Sequence, residues 1–144
     1  QFSTSEGVQG ICPEGWHIPT DNEFKQLELA LGMPSGEVDI INSFRGSAQN
    51  VGGQMKEGGG SGFEALFAGA RNGGGGFMFL QGSGSTEFTY FWTSNQCGEG
   101  SECTANYDEM YAIRRCLNNG NQGSGRFDTF PKTYGYSIRC VKNN

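Results

Sequence analysis

The stretch that decides the fold is residues 11–24, ICPEGWHIPTDNEF. Two prolines and Gly15 exclude a helix over its first part and favour a turn followed by a short extended piece. Thr20 and Glu23 then form the pattern of a capping box. In that motif the threonine hydroxyl accepts a hydrogen bond from a backbone amide three residues on, and the glutamate reaches back to the cap. We therefore expect a helix to begin directly after Thr20.

The apolar residues that follow have helical spacing: Phe24, Leu27, Ala30 and Leu31. Gly32 stops the pattern, so it predicts one amphipathic helix over residues 21–31 with this apolar face turned to the core. A second, weaker helical window covers residues 37–57, and we expect its glycines to break it into pieces.

Beyond residue 58, short aromatic runs alternate with clusters of glycine, which is typical of short strands joined by loops. The runs are residues 63–70, 77–80, 88–94, 107–117 and 134–141. Residues 118–125, NNGNQGSG, predict a long loop without regular structure. N-terminal helices, short antiparallel strands and long C-terminal loops together predict an α+β fold.

Length and charge restrict the function classes. The chain has 144 residues, which fits one domain, and we assign residues 1–10 to a polar lead-in segment and residues 11–144 to a single domain. Ten basic residues face fifteen acidic ones, without a Lys/Arg stripe, so nucleic acid is excluded as a partner. An apolar run of about 18 residues is absent from the sequence, so this domain does not insert into a membrane.

The five cysteines, at positions 12, 97, 103, 116 and 140, bear on the compartment. They form no CxxC motif and the chain has one histidine, so the sequence predicts no structural zinc site. Cys97 and Cys103 flank a short loop that a disulfide could close. Such pairs, with much glycine and asparagine, favour an exported, extracellular or cell-surface protein. The start at Gln1 is interpreted as a fragment of a longer exported chain.

Four blocks resemble, in order, the Fibrobacter succinogenes major paralogous domain family. They are residues 11–24, GFEALFAGAR at 62–71, FWTS at 91–94 and GYSIRCVK at 135–142. The resemblance implies a C-type-lectin-like fold, related to the formylglycine-generating-enzyme branch and to the variable proteins of diversity-generating retroelements. It also implies an exported or surface-anchored bacterial protein. In those variable proteins the ligand-facing residues lie in the C-terminal loops.

The same resemblance bears on one pair of cysteines, and the position of Trp16 bears on the core. Cys12 and Cys140 both lie in family blocks, so we expect a bridge between them, with two buried thiols as the alternative; Cys116 would then be free. Trp16 lies between the turn and the helix, and we expect it in the core, packed under Phe24 and Leu27.

The residues suited to catalysis are few and lie outside known catalytic motifs. His17 is the only imidazole and lies in a block interpreted as structural. An oxidase of the formylglycine-generating type would need a reactive cysteine pair in a matching motif, and Cys116 and Cys140 lack one. We expect no enzyme and no cofactor, although a carboxylate hydrolase and such an oxidase stay as alternatives.

Five carboxylates could hold a calcium ion or form a glycosidase pair: Glu99, Glu102, Asp108, Glu109 and Asp128. The Glu-Pro-Asn, Gln-Pro-Asp and Trp-Asn-Asp triplets of calcium-dependent sugar-binding lectins are absent from the sequence. We assign no metal site, and a structural calcium that holds a loop open stays as an alternative.

The favoured function is a non-catalytic, adhesin-like domain that binds a protein or glycan on a cell surface through its C-terminal loops. Tyrosine, arginine and asparagine supply the contact area and hydrogen bonds of adaptable binding surfaces. The candidates are Tyr107, Tyr111, Arg114 and Phe127 as anchors, with Asn118, Asn119, Asn121 and Arg126 beside them. A retroelement-diversified variable protein is included in this hypothesis. A structural spacer in a pilus or surface lipoprotein is the remaining alternative.

Overall fold

A computed structural model describes residues 5–83, 86–105 and 108–144. Over this part of the chain it contains two helices and eight strands. They are β1 Trp16–His17, α1 Asp21–Ala30, β2 Ser43–Arg45, α2 Val51–Met55, β3 Ala70–Arg71, β4 Phe77–Met78, β5 Phe88–Gln96, β6 Ala112–Asn118, β7 Ser124–Phe127 and β8 Val141–Lys142. The mixed, strand-rich architecture with antiparallel sheets confirms the α+β prediction at this level. Neither helix has the length and apolar composition needed to cross a bilayer.

The main sheet has four antiparallel strands in the order β2-β7-β6-β5. Because side chains alternate along a strand, the register divides the sheet into two faces. The helix face packs under α1 and carries Arg45, Phe91, Ile113, Arg115, Leu117, Ser124 and Arg126. The aromatic face carries Phe44, Phe88, Tyr90, Trp92, Arg114, Cys116 and Phe127. Every residue of β6 is buried, since both faces of this strand are covered.

Helix α1 begins where the sequence predicts. The Thr20 hydroxyl accepts a hydrogen bond from the Glu23 amide at 3.1 Å, and the Glu23 carboxylate accepts one from the Thr20 amide at 2.8 Å. Both halves of the capping box are therefore present.

The face that α1 buries differs from the predicted one. Its buried residues are Asp21, Phe24, Lys25 and Glu28, so most of the buried stripe is charged. Ala30 is exposed, while Leu27 and Leu31 are only partly buried at the edge of the core. The prediction that the apolar stripe forms the buried face of α1 is wrong for most of the helix, because three arginines of the sheet form ion pairs with its acidic side chains.

Glu28 is the centre of this contact and has no solvent-exposed surface. Its Oε1 atom accepts hydrogen bonds from Arg45 Nη2 at 2.7 Å, Arg115 Nε at 2.9 Å and Ser124 Oγ at 2.6 Å. These donors come from β2, β6 and β7, so one carboxylate joins three neighbouring strands to the helix.

Asp21, the first residue of α1 after the Thr20 cap, completes the network. Arg115 Nη1 donates to its Oδ1 at 2.5 Å, and Arg126 donates to both oxygens, at 3.0 and 2.7 Å. Burial opposes ionisation of this carboxyl, but the charges of Arg115 and Arg126 outweigh burial and hold its pKa well below its usual range. Lys25 and Glu102 extend the network to the surface through an ion pair at 2.6 Å. The ionised side chains therefore neutralise one another inside the fold.

Strand β7, Ser124–Phe127, begins within residues 118–125, for which the sequence predicts a loop. Glycines in this strand and beside it are needed because neighbouring atoms leave no room for a side chain, and not because the backbone must be flexible. A Cβ on Gly125 would lie 2.6 Å from the Phe127 ring, and one on Gly52 of α2 would lie 2.0 Å from the Gly123 carbonyl oxygen. Such contacts exclude a side chain, so a stretch with low strand propensity forms an inner strand of the sheet.

The other predicted strands are shorter than expected. Residues 63–70 are mostly irregular, and only Ala70 of that range enters β3. In 134–141, only Val141 enters a strand, β8, which pairs with β1. Ser137 instead forms an isolated parallel bridge with Phe91, so this segment covers the free edge of β5.

Trp16 is 39% exposed, which corrects the prediction that it lies in the core. It lies in β1 opposite Lys142, at the surface. The core position next to Phe24 is taken by Phe63, at 6.2 Å between ring centroids, and by the Arg115 guanidinium. Trp16 therefore contributes to the β1–β8 surface rather than to the core.

Both expected disulfides are present. Cys12 and Cys140 are bonded across a sequence separation of 128, and Cys97 and Cys103 across a separation of 6. Cys116 is free and buried. The long bridge lies beside the β1–β8 pair and joins the two ends of the domain.

We predict that Glu28→Gln lowers the free energy of unfolding by about 3–5 kcal/mol, because it leaves buried arginine charge without its counterion. Urea denaturation at neutral pH measures this. Glu14→Gln, at an exposed carboxylate, is the matched control and should change stability by less than about 0.5 kcal/mol. A loss below about 1 kcal/mol in Glu28→Gln would contradict the central role of this network.

The two disulfides should differ in their contribution to stability. Replacing Cys12 and Cys140 together by alanine should cost up to about 5 kcal/mol, and replacing Cys97 and Cys103 about half as much, because the loop closed is far longer in the first case. Denaturant titrations of the two double variants test this order. Equal losses, or peptide mapping without reductant that links Cys116 to another cysteine, would show the assignment to be wrong.

Candidate functional site

The predicted recognition residues do not form one surface. Strand β6 enters from the loop that ends at Tyr111 and leaves into the loop that contains Asn119 and Asn121. The two loops therefore lie at opposite ends of a seven-residue strand, about 20 Å apart. The candidate residues on these two loops therefore do not share one end of the sheet. Tyr107 lies outside the described residues.

The asparagines mostly shape their own loop. Asn118 is buried, and its Oδ1 accepts a hydrogen bond from the Gly120 amide at 2.9 Å. The Asn121 Oδ1 accepts one from the Gly123 amide at 2.8 Å. These are local side-chain-to-backbone turns, so both residues have structural partners, whereas Asn119 is exposed.

Arg114 and Arg126 are also interior, which corrects their assignment to an exposed surface. Arg126 is 1% exposed and is bound to Asp21. Arg114 is 3% exposed and lies on the aromatic face. Its guanidinium carbon lies 5.1–5.4 Å from the ring centroids of Tyr90, Phe127, Phe130 and Tyr136. Alternation along β6 indicates that Arg114 and Arg115 point to opposite faces, but it does not show that both faces are covered.

Tyr111 and Phe127 are half-buried. Tyr111 packs against the cluster formed by the Cys97–Cys103 bridge and Ile113. Phe127 makes an edge contact with Phe44 at 5.6 Å between ring centroids. Both therefore contribute to packing, and only part of each is available at the surface.

Clefts with the shape of a binding site lie where β5 ends at Gln96 and β6 begins at Ala112. We call this end the loop end of the sheet. Gln96, the last residue of β5, lines three neighbouring clefts. The register of β5 against β6 shifts between Trp92 and Gln96, as in a β-bulge. Such irregularities often turn side chains towards functional sites at the rim of a sheet.

The largely apolar cleft has a volume of about 470 Å³. Its apolar lining is Val8, Ile11, Ile18, Trp92, Ala112 and Ile138. Ile11 is 72% exposed, so most of its side chain is accessible from solvent. Lys132 lies at the rim and donates to Gln96 Oε1 at 2.5 Å. An apolar lining with a few polar groups at the rim is typical of small-ligand sites.

A row of rings leads away from this cleft. Trp92, Tyr136, Tyr134 and Phe130 follow one another at centroid distances of 4.5, 6.0 and 5.0 Å, and we call them the aromatic row. Phe130 is 42% exposed and the other three are partly exposed. The row was not predicted as a site, although the alternation of Phe88, Tyr90 and Trp92 on one face is visible in the sequence.

The second cleft, of about 410 Å³, is acidic and includes Glu6, Glu99 and Glu102. The third cleft is open and contains Asp108, Glu109, Met110 and Lys132. Glu102 is already paired with Lys25 and Arg126. The acidic cleft is therefore partly neutralised from inside the fold.

Among the described residues, one cluster has metal-ligand geometry: Cys97, Cys103 and Asp128. Its sulfurs are bonded to each other, so they are not thiolate ligands. The Asp128 carboxylate accepts hydrogen bonds from the amides of Thr104 and Ala105, at 2.6 and 2.9 Å. This cluster is thus a structural support for the disulfide loop.

The imidazole of His17 and the thiol of Cys116 are the groups best suited to catalysis, but the first is hydrogen-bonded at both nitrogens and the second is buried. His17 Nδ1 pairs with Asn143 Oδ1 at 2.7 Å and Nε2 with Glu23 Oε1 at 2.8 Å. The hydrogen bonds to Asn143 and then to Glu23 raise the pKa of this imidazole. Burial raises the pKa of the Cys116 thiol to about 12, against the opposing effect of Arg114.

These features define a small, disulfide-linked domain with mixed helix and sheet and a set of clefts at one end. The chain belongs to the Fibrobacter succinogenes major domain family, whose model matches residues 1–142. Neither a search of curated proteins nor a search of solved structures finds a match.

We predict that Cys116 does not react with a thiol reagent such as Ellman's reagent at pH 8 while the protein is folded, because the thiol is buried and protonated. One thiol per chain should react after unfolding in guanidinium. Rapid labelling of the native protein would contradict the buried placement and would restore the case for cysteine chemistry.

Proposed function

We propose that this chain is a non-catalytic ligand-binding domain of an exported bacterial surface protein and that it binds through the loop end of the sheet. One observation carries the proposal: the apolar cleft and the aromatic row share Trp92, and Lys132 lines the same cleft. Half-exposed aromatic rings on a rigid support are the residues that usually dominate binding energy.

The fold type belongs to the same proposal. We infer a C-type-lectin-like fold from the sequence blocks described above and from the family match. A relation to retroelement-diversified variable proteins is consistent with a site built partly from C-terminal loops. In this chain the loop of residues 128–134 supplies Phe130, Lys132 and Tyr134 to the site.

The non-catalytic interpretation rests on how the reactive groups are used. His17 is held between Asn143 and Glu23, and Cys140 is bonded to Cys12. Cys116 is buried away from solvent. These contacts weaken the alternative of an oxidase, which needs two reactive cysteines. They also leave no free imidazole to act as a general base, since His17 is the only histidine of the sequence.

Export is supported by the two disulfides, which persist in oxidising compartments. The partner is a protein or glycan on a cell surface. Both kinds of partner present apolar patches that can pack on aromatic rings, with polar groups within reach of Lys132 and Gln96.

The test is a parallel screen of the isolated domain on a glycan array and on an array of cell-surface proteins. Every hit is then measured with Ile11→Ser and Lys132→Ala, which change exposed side chains of the apolar cleft. We expect each to weaken binding at least about tenfold, as removal of an anchor contact does. Asn119→Ala, at the opposite end of β6, is the matched control and should bind as the parent does.

Absence of any hit on both arrays would favour the structural spacer, in which neighbouring domains cover the aromatic row. Loss of binding in Asn119→Ala with retention in both cleft variants would move the site to the opposite end of the sheet. Turnover of a bound glycan would instead support the hydrolase alternative.

A further inference from the structure

Four arginines of the described chain are almost fully buried, and one of them differs from the rest. Arg45, Arg115 and Arg126 each form an ion pair with Asp21 or Glu28. Arg114 is 3% exposed, yet over the described residues no carboxylate lies within ion-pair distance of it. A buried charge without a counterion costs free energy, so the position calls for an explanation.

The hydrogen bonding of Arg114 is also incomplete. Its Nη2 atom donates to Thr129 Oγ1 at 3.3 Å, which is a long contact. Its Nε and Nη1 atoms are buried and have no hydrogen-bond partner. Because Nε carries one hydrogen and Nη1 two, three donors lack a nitrogen or oxygen acceptor, and the Cys116 thiol beside the guanidinium is only a weak acceptor for them.

The neighbouring thiol does not supply the missing negative charge. Cys116 lies on the same face of β6 and is protonated at neutral pH, since burial raises its pKa to about 12. The four surrounding rings attract the cation through their π faces, but this attraction is weaker than that of a carboxylate. The guanidinium is therefore prepared for an anion that the described chain does not provide.

Of the four rings, Phe130 is the one with substantial exposure. It is 42% exposed, whereas Tyr90 is 8% exposed and Phe127 and Tyr136 are partly buried. Phe130 lies 5.2 Å from the guanidinium carbon, in the loop that follows β7, and contacts Tyr134 at the end of the aromatic row. A rotation of this one side chain would open a path from the row to Arg114.

We propose that Arg114 binds the carboxylate of a ligand that displaces the Phe130 ring and packs its apolar body along the aromatic row. The inference rests on the proposed function and names the ligand class, a carboxylate joined to an aromatic or apolar group. A planar carboxylate fits because it accepts two parallel hydrogen bonds from one guanidinium. The remaining rings of Tyr90, Phe127 and Tyr136 would enclose the bound group and exclude water.

The experiment compares benzoate with benzamide, its uncharged isostere, by isothermal calorimetry and thermal denaturation of the domain. Benzoate should bind and raise Tm in a concentration-dependent way, because a ligand that binds only the native state stabilises it. Benzamide and inorganic phosphate should not. Phe130→Ala should bind benzoate at least about tenfold more tightly, since the closed ring no longer reduces the binding-competent fraction.

Two further variants separate Arg114 from general charge effects. Arg114→Met, which keeps the length of the side chain without its charge, should abolish benzoate binding. Lys142→Met removes an exposed cation of β8, outside the proposed site, and should leave benzoate binding unchanged. If Arg114→Met fails to fold, the Phe130→Ala result decides the question by itself.

Equal binding of benzoate and benzamide, unchanged affinity in Phe130→Ala, or retained binding in folded Arg114→Met would each overturn the inference. None of these outcomes affects the array screen, which tests the loop end without reference to anions. Failure of the array screen with benzoate binding intact would instead leave the anion site and remove the cell-surface partner.

Discussion

Two carboxylates on one short helix hold this domain together. Asp21 and Glu28 are both buried, and each is bound by arginines from different strands of the main sheet. Apolar contacts alone would let a helix slide on a sheet, whereas guanidinium–carboxylate pairs fix distance and direction. The positions of β2, β7 and β6 under α1 therefore follow from this network, and the loops that leave these strands inherit their geometry from it.

Part of the fold is visible in the sequence because it depends on near neighbours. The capping box at Thr20 and Glu23 satisfies its own helix end, so the start of α1 could be predicted to the residue. The face that α1 buries depends on Arg115 and Arg126, about a hundred positions away, and no local pattern contains them. Strand β7 escaped prediction for a related reason, since Gly125 is selected by crowding against Cys116 and Phe127 rather than by strand propensity.

The candidate site shows the same division. Tyrosine and arginine in the C-terminal region indicated a binding surface, but composition does not say which face of β6 a side chain takes. Arg114 and Arg126 were placed outside because charge usually implies exposure, and the ion pairs and rings that bury them come from other elements. Trp92 and Lys132 become neighbours of one cleft only when the β5 bulge and the loop after β7 are brought together. The candidate site is therefore one end of the sheet rather than the set of residues that the sequence predicted.

The bridge between Cys12 and Cys140, with the β1–β8 pair beside it, has a mechanical consequence. Tension applied to the chain outside these cysteines passes through a covalent bond, and the residues between them carry no load. Tension that stretches the chain from end to end would then neither unfold the sheet nor widen the clefts at its loop end. The geometry of this end of the domain therefore stays unchanged under such tension for as long as the disulfide is intact.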